Sequence, residues 1–128
     1  MKDGRGAIST ESGAMNEHPY GYASRFEGVR GTNPEELIGA AHAGCFTMAL
    51  SLVLGEAGLM AERMHTSAAV TLEKVEDGFS ISAIHLTLEA SIPEADDATF
   101  QKLAATAKAN CPVSKLLRAE ITLDAKLV

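Results

Sequence analysis

The sequence predicts an α+β domain, an antiparallel sheet with a long buried central helix. Three observations predict it. The mild apolar run from Glu36 to Gly58 carries helix signals at both ends. The segment after it alternates apolar and polar residues, as half-buried strands do. The order strands, long helix, strands, helices, strand departs from the regular strand–helix alternation of a parallel sheet.

From Ala7 to about Gly31 the chain reads as strands and turns. Glu11–Tyr22 is rich in turn residues, and Tyr20–Gly28 has a strand pattern that carries Arg25. The helix starts in GTNPEE: Asn33 can cap it, Pro34 suits its first position, and Glu35 and Glu36 complement the positive end of its dipole. Asn33 and Glu36 also have capping-box spacing. The helix should run to about Glu56, with Gly55 and Gly58 as stop signals, roughly 34 Å at 1.5 Å per residue. Its apolar character extends around much of the circumference, which predicts burial on several sides. A hairpin follows, Ser67–Val75 returning as Phe79 to about Ile92 through a turn at Asp77-Gly78, with Ile84, Leu86 and Leu88 on one face. Asp96 or Asp97 caps a second helix to about Ala109, whose apolar stripe is Phe100, Leu103, Ala104 and Ala107. Cys111-Pro112 opens a short helix through Arg118, and Ile121, Leu123, Ala125 and Leu127 alternate in a closing strand.

The 128 residues suit one domain, spanning 1–128. Hydrophobic residues make up 46%, but aromatics only 5% and Trp is absent, so Leu, Ile, Val, Ala and Met must build the core. That favours close helix packing and a subunit interface that completes the burial. A formal net charge of −6 argues against nonspecific nucleic-acid binding and against an anionic membrane surface. The polar start MKDGRGAIST lacks the apolar core of a signal peptide, so a cytoplasmic location is expected. His42, Thr47 and Ser51 interrupt the apolar run Ala40–Leu54, which reads as too short to span a bilayer.

Two cysteines in a cytosolic chain are free thiols, a transient redox pair or metal ligands. With no CxxC, and no ligand spacing among His18, His42, His65 and His85, no metal is expected. Cys45 sits mid-helix among Ile38, Ala41, Met48, Ala49 and Leu52. It is a buried core thiol, inert with a raised pKa, unless the fold brings a cation to it. Cys111 precedes Pro112, where the N–H groups of a helix start favour a thiolate; equally, the residue only begins that helix. His42, three residues before Cys45, is either a thiol-hydrolase partner or an ordinary helix histidine. Arg25 reads as a solvated strand charge, and Met48, Met60 and Met64 as packing.

The stretches GTNPEELIGAAHAGCFTMALS, CPVSKLLRAEITLD and STESGAMNEHPYGYASRFEGVRG resemble the OsmC/Ohr family of thiol peroxidases, on its OsmC branch. The resemblance runs from Gly4 to Leu127. It implies that Cys45 is the peroxidatic cysteine and Cys111 the resolving one. Arg25 would activate the thiolate, and Glu35 would position that arginine. It also implies an interlocked homodimer with both sites at the interface, organic hydroperoxides as substrates, and no resident cofactor. An external dithiol, either a lipoyl-bearing protein or a small dithiol, would be the reductant. Relatives usually begin with a further segment carrying the first strand of an N-terminal hairpin, so that strand is expected to be missing here. The alternatives outside this class are a thiol hydrolase using Cys45 and His42, and a non-catalytic stress protein whose apolar groove binds a lipid-like ligand.

Helical geometry adds a constraint. Glu35 and Cys45 are ten positions apart on one helix, about 15 Å of rise. An Arg25–Glu35 pair centred on Glu35 does not easily touch the Cys45 of the same helix, so composite sites with Arg25 and Glu35 reaching in from a partner chain are expected. A disulfide between Cys45 and Cys111 also requires their Cα atoms within about 7 Å. The Ala, Met and Leu residues around Cys45 predict an apolar pocket, better suited to a bulky organic hydroperoxide than to hydrogen peroxide.

Overall fold

A computed structural model describes residues 2–128. The chain forms two compact units, Met1–Leu37 and Ile38–Val128.

In the first unit, β1 (Arg5–Ile8) pairs antiparallel with β2 (His18–Gly21), Arg5 opposite Gly21 and Ile8 opposite His18. Gly6 sits under the Tyr20 ring, where an added Cβ would come within 2.3 Å of a ring carbon, so a side chain there would push the ring away. The expected strand over Tyr20–Gly28 is not formed. It stops at Gly21, and Tyr22–Phe26 makes a one-turn helix, α1, which carries Arg25. The reason lies in Ser24. Its Oγ accepts the Gly21 N–H at 3.0 Å and donates to the Thr32 carbonyl at 2.8 Å, which curls the chain. The Tyr22 and Phe26 rings, four residues apart, meet at 5.0 Å between centroids. Just beyond, Asn33 Oδ1 accepts the Glu36 N–H at 2.8 Å and caps α2 (Pro34–Glu56), whose limits are those its sequence signals predict.

The second unit is a three-stranded sheet with helices on one face. β3 (Arg63–Val75) and β4 (Gly78–Ser91) form the predicted hairpin. α3 (Asp97–Asn110) is capped by Asp96, which accepts the Thr99 N–H at 2.8 Å. After α4 (Pro112–Leu116), β5 (Glu120–Leu127) lies beside β4, running parallel to it. The wholly antiparallel sheet expected from the sequence is therefore corrected to a mixed one. β4 and β5 are joined by a helical crossover, and a crossover returns the chain in the same direction, whereas a tight turn reverses it.

The inner face aligns Val70, Ile84 and Ile121 in one row and Ala68, Leu86 and Leu123 in the next. Phe46, Leu50 and Leu54 of α2 and Phe100, Ala104 and Ala107 of α3 join these strands in a single core. α2 comes close to β3 at Gly39, where a Cβ would lie 3.2 Å from a Val70 methyl. The outer face is polar: His85 reaches Thr122 at 2.6 Å and Asp124 at 3.2 Å.

The expectation that α2 is buried on several sides does not hold within one chain. Its buried positions are Gly39, His42, Phe46, Leu50 and Leu54, a single stripe, because one sheet face meets one side of a helix. Met48 is 76% and Leu52 65% exposed, and Met60 stands out as well, so Met48 and Met60 are not core packing. The run Ala40–Leu54 is short, but the whole helix of 23 residues contains an 18-residue window of mean hydropathy 1.8, enough to cross a bilayer by length and composition alone. Its polar positions serve the fold instead. Thr47 bonds Thr66 of β3 at 2.6 Å, and His42 bonds Ser114 at 2.8 Å.

Candidate active site

Cys45, half-buried on α2, and Cys111, fully buried between α3 and α4, lie sulfur to sulfur as free thiols, although 66 positions separate them in sequence. α3 ends at Cys111, whose N–H still bonds the Ala107 carbonyl at 2.9 Å. Pro112 then begins α4 at the position where a missing N–H is harmless. The turn aims the first N–H groups of α4 at the thiols.

These contacts divide the pair electrostatically. Burial, and then the hydrogen bond to Cys111, push the Cys45 thiol up, against a lowering contribution from the Val113 N–H. Burial would raise Cys111 as well. It is outweighed by the Cys45 S–H, the Ser114 N–H and hydroxyl, and the Val113 N–H, and the net effect lowers Cys111. The same contacts thus favour the thiolate at Cys111 over Cys45.

No hydrogen bond joins His42 to Cys45 among the described residues. The histidine is wholly buried on the α2 stripe, and its Nε2 lies 2.8 Å from Ser114 Oγ. Burial lowers its pKa and keeps the ring neutral. The sequence alone assigns Ser114 no role; its signal is its place three residues after Cys111, one turn into the helix whose start points at the sulfurs.

The first unit holds the other predicted pair. Arg25 Nη2 is 2.6 Å from Glu35 Oε1, and Arg25 Nε lies 3.2 Å from each carboxylate oxygen. The hydrogen bond from Arg25 is the main reason the Glu35 carboxyl is held below its ordinary range; burial opposes it. Beside the pair is a groove of about 450 Å³ lined by Tyr20, Tyr22, Phe26, Thr32 and Pro34 along with Arg25. Among the described residues no cluster of three or more metal-ligating side chains occurs.

The arrangement provides a thiol pair within reach of disulfide chemistry and a guanidinium fixed by a carboxylate, next to an apolar groove. Known proteins resemble this chain over most of its length. A family profile described as OsmC-like protein matches residues 26–126. The chain is 57% identical over 127 residues to Peroxiredoxin OsmC of Escherichia coli (strain K12), covering 99% of this chain and 89% of that protein. The solved structure of the organic hydroperoxide resistance protein OhrB of Bacillus subtilis is similar with a TM-score of 0.71 at 29% identity, covering 95% of this chain and 89% of that one. An OsmC like protein from Mycoplasma pneumoniae shares the fold with a TM-score of 0.74 at 16% identity, over 100% of this chain and 98% of its own.

Proposed function

The chain belongs to the OsmC family, and from that premise we propose that it is a cysteine-based peroxidase reducing organic hydroperoxides to alcohols. The observation that carries the reading is the meeting of two unbridged thiols from distant parts of the sequence, one of them partly open to solvent. Accessibility sets the order of events: a peroxide can reach Cys45, whereas Cys111 is wholly buried.

Cys45 thiolate attacks the terminal peroxide oxygen. The O–O bond breaks, the sulfur becomes a sulfenic acid, and the departing alkoxide takes a proton to leave as the alcohol. Cys111 then attacks the Cys45 sulfur, expelling hydroxide, which leaves as water, and a disulfide remains. An external dithiol reduces it by exchange. Because burial and the bond to Cys111 push the Cys45 thiol up, ionisation there requires a nearby cation. We assign this role to Arg25 of the partner subunit, held by that subunit's own Glu35, for the reason of helical rise given above. The same guanidinium would stabilise the departing alkoxide. The exposed Met48 and Leu52, on the helix that carries Cys45, support a homodimer in which a second copy covers them. The aromatic groove beside Arg25 supports a bulky apolar substrate.

The direct test is consumption of cumene hydroperoxide against hydrogen peroxide with a dithiol supplied. Organic peroxide should be preferred, and one equivalent should remove two thiols per chain. Cys45→Ser should abolish both effects. Unchanged thiol counts in the wild-type chain would defeat the reading.

A further inference from the structure

We propose that His42 and Ser114 are positioning residues for the resolving step: the Ser114 hydroxyl, turned toward Cys111 by His42, holds that sulfur anionic and aimed at Cys45. This rests on the peroxidase reading, which assigns the pair no role.

The argument begins with a polar ring in an apolar place. His42 is wholly buried, on the same stripe as Phe46 and Leu50. Nε2 bonds Ser114 Oγ at 2.8 Å, and Nδ1 has no partner among the described residues. A neutral ring carries one N–H, and buried N–H groups without an acceptor are rarer than acceptors without a donor. The proton therefore belongs on Nε2, which donates to Ser114 Oγ. With its lone pair engaged there, the hydroxyl directs its own hydrogen to the Cys111 sulfur, a contact that lowers that thiol. The opposite arrangement, with Ser114 donating to Nε2, would strand the N–H on Nδ1 and remove a donor from the sulfur. The hydroxyl acts there beside the Ser114 and Val113 N–H groups: Cys45 faces the sulfur from α2, the core cluster around it is apolar, and Lys108 of α3 directs its ammonium to the Ile121 carbonyl at 3.1 Å.

The step itself balances without further groups. The Cys111 thiolate forms the S–S bond, the S–O bond of the sulfenic acid breaks, and the hydroxide recovers the proton that Cys111 had released. The sulfenic sulfur is reduced and Cys111 is oxidised.

The experiment is a single turnover of the reduced full chain with cumene hydroperoxide. Sulfenic acid is trapped with dimedone, and the disulfide is followed by mass. Ser114→Ala should slow disulfide formation about tenfold and let sulfenic acid accumulate, the effect expected for losing one hydrogen bond to a charged group. Sulfenic acid formation should stay within about twofold. Ser114→Thr, which keeps the hydroxyl, should restore resolution, and His42→Gln, which keeps an N–H donor, should outperform His42→Phe. The thiolate absorbance titration should also move to higher pH in Ser114→Ala. An unchanged disulfide step in Ser114→Ala, or no rescue by Ser114→Thr, overturns the relay. A wild-type chain that never forms sulfenic acid overturns the parent reading instead, and the thiolate titration still decides the relay.

Discussion

Replacing Glu35 with glutamine keeps the size of the side chain and removes its charge. Three contacts join it to Arg25, the shortest at 2.6 Å. The Glu35 side chain is 13% exposed and that of Arg25 33%, so solvent screens the pair in part. Hydrogen bonds to charged groups contribute about 1.5–3 kcal/mol; with that screening, the pair is worth about 1–2 kcal/mol. If this energy holds the guanidinium in its working orientation, its loss lowers kcat/KM for cumene hydroperoxide by about five- to thirty-fold at about 1.36 kcal/mol per decade. The pH dependence has a definite sign. The folded Glu35 pKa lies below its ordinary 4.5, so its stabilisation is full above that value and is lost as pH falls through the folded pKa. Thermal melts from pH 7 to pH 3 should therefore fall more steeply for the wild type than for Glu35→Gln, with the two curves converging at the acid end. A variant that shows this convergence while keeping its activity within twofold would refute the catalytic part of the reasoning and leave the pair a structural one.

Thr47→Val removes the bond between α2 and β3 and strands the Thr66 hydroxyl, so urea denaturation should show a loss of about 1–2 kcal/mol. The double variant with Thr66→Val should lose less than the sum of the two singles, because no unpaired hydroxyl is left. Glu substituted at both Met48 and Leu52 should yield monomers in light scattering and depress peroxidase activity. Retention of a fully active dimer would exclude α2 from the interface.

Elements with local signals were legible in the sequence. Asn33-Pro34 and Gly55 bracketed α2 because caps and stops act within a turn, and Asp96 announced α3 in the same way. The alternation of Ile121, Leu123 and Ala125 marked β5, but its direction did not show, since direction follows from the crossover and not from the strand. α1 was hidden because one of the two Ser24 bonds that curl it runs to Thr32, outside any local period. The exposure of Met48 was hidden too, as a helix's own residues cannot say how many of its sides the rest of the fold covers. At the site, the nearness of Cys45 and Cys111, and of Arg25 and Glu35, was expected through family resemblance. The His42–Ser114 contact joins positions 72 apart and carried no signal of its own.

The two sulfurs enclose β3, β4 and α3 between them in sequence. Once linked, they would close a 66-residue loop around most of the core. Chain-entropy arguments put the gain from such a closure at about 4 kcal/mol, taken from the unfolded ensemble. A bond made and broken in each turn of the proposed cycle would then restrict and free the unfolded chain, so melting temperature would report oxidation state. A population of this protein in an oxidised cell would be harder to unfold than the same protein at rest.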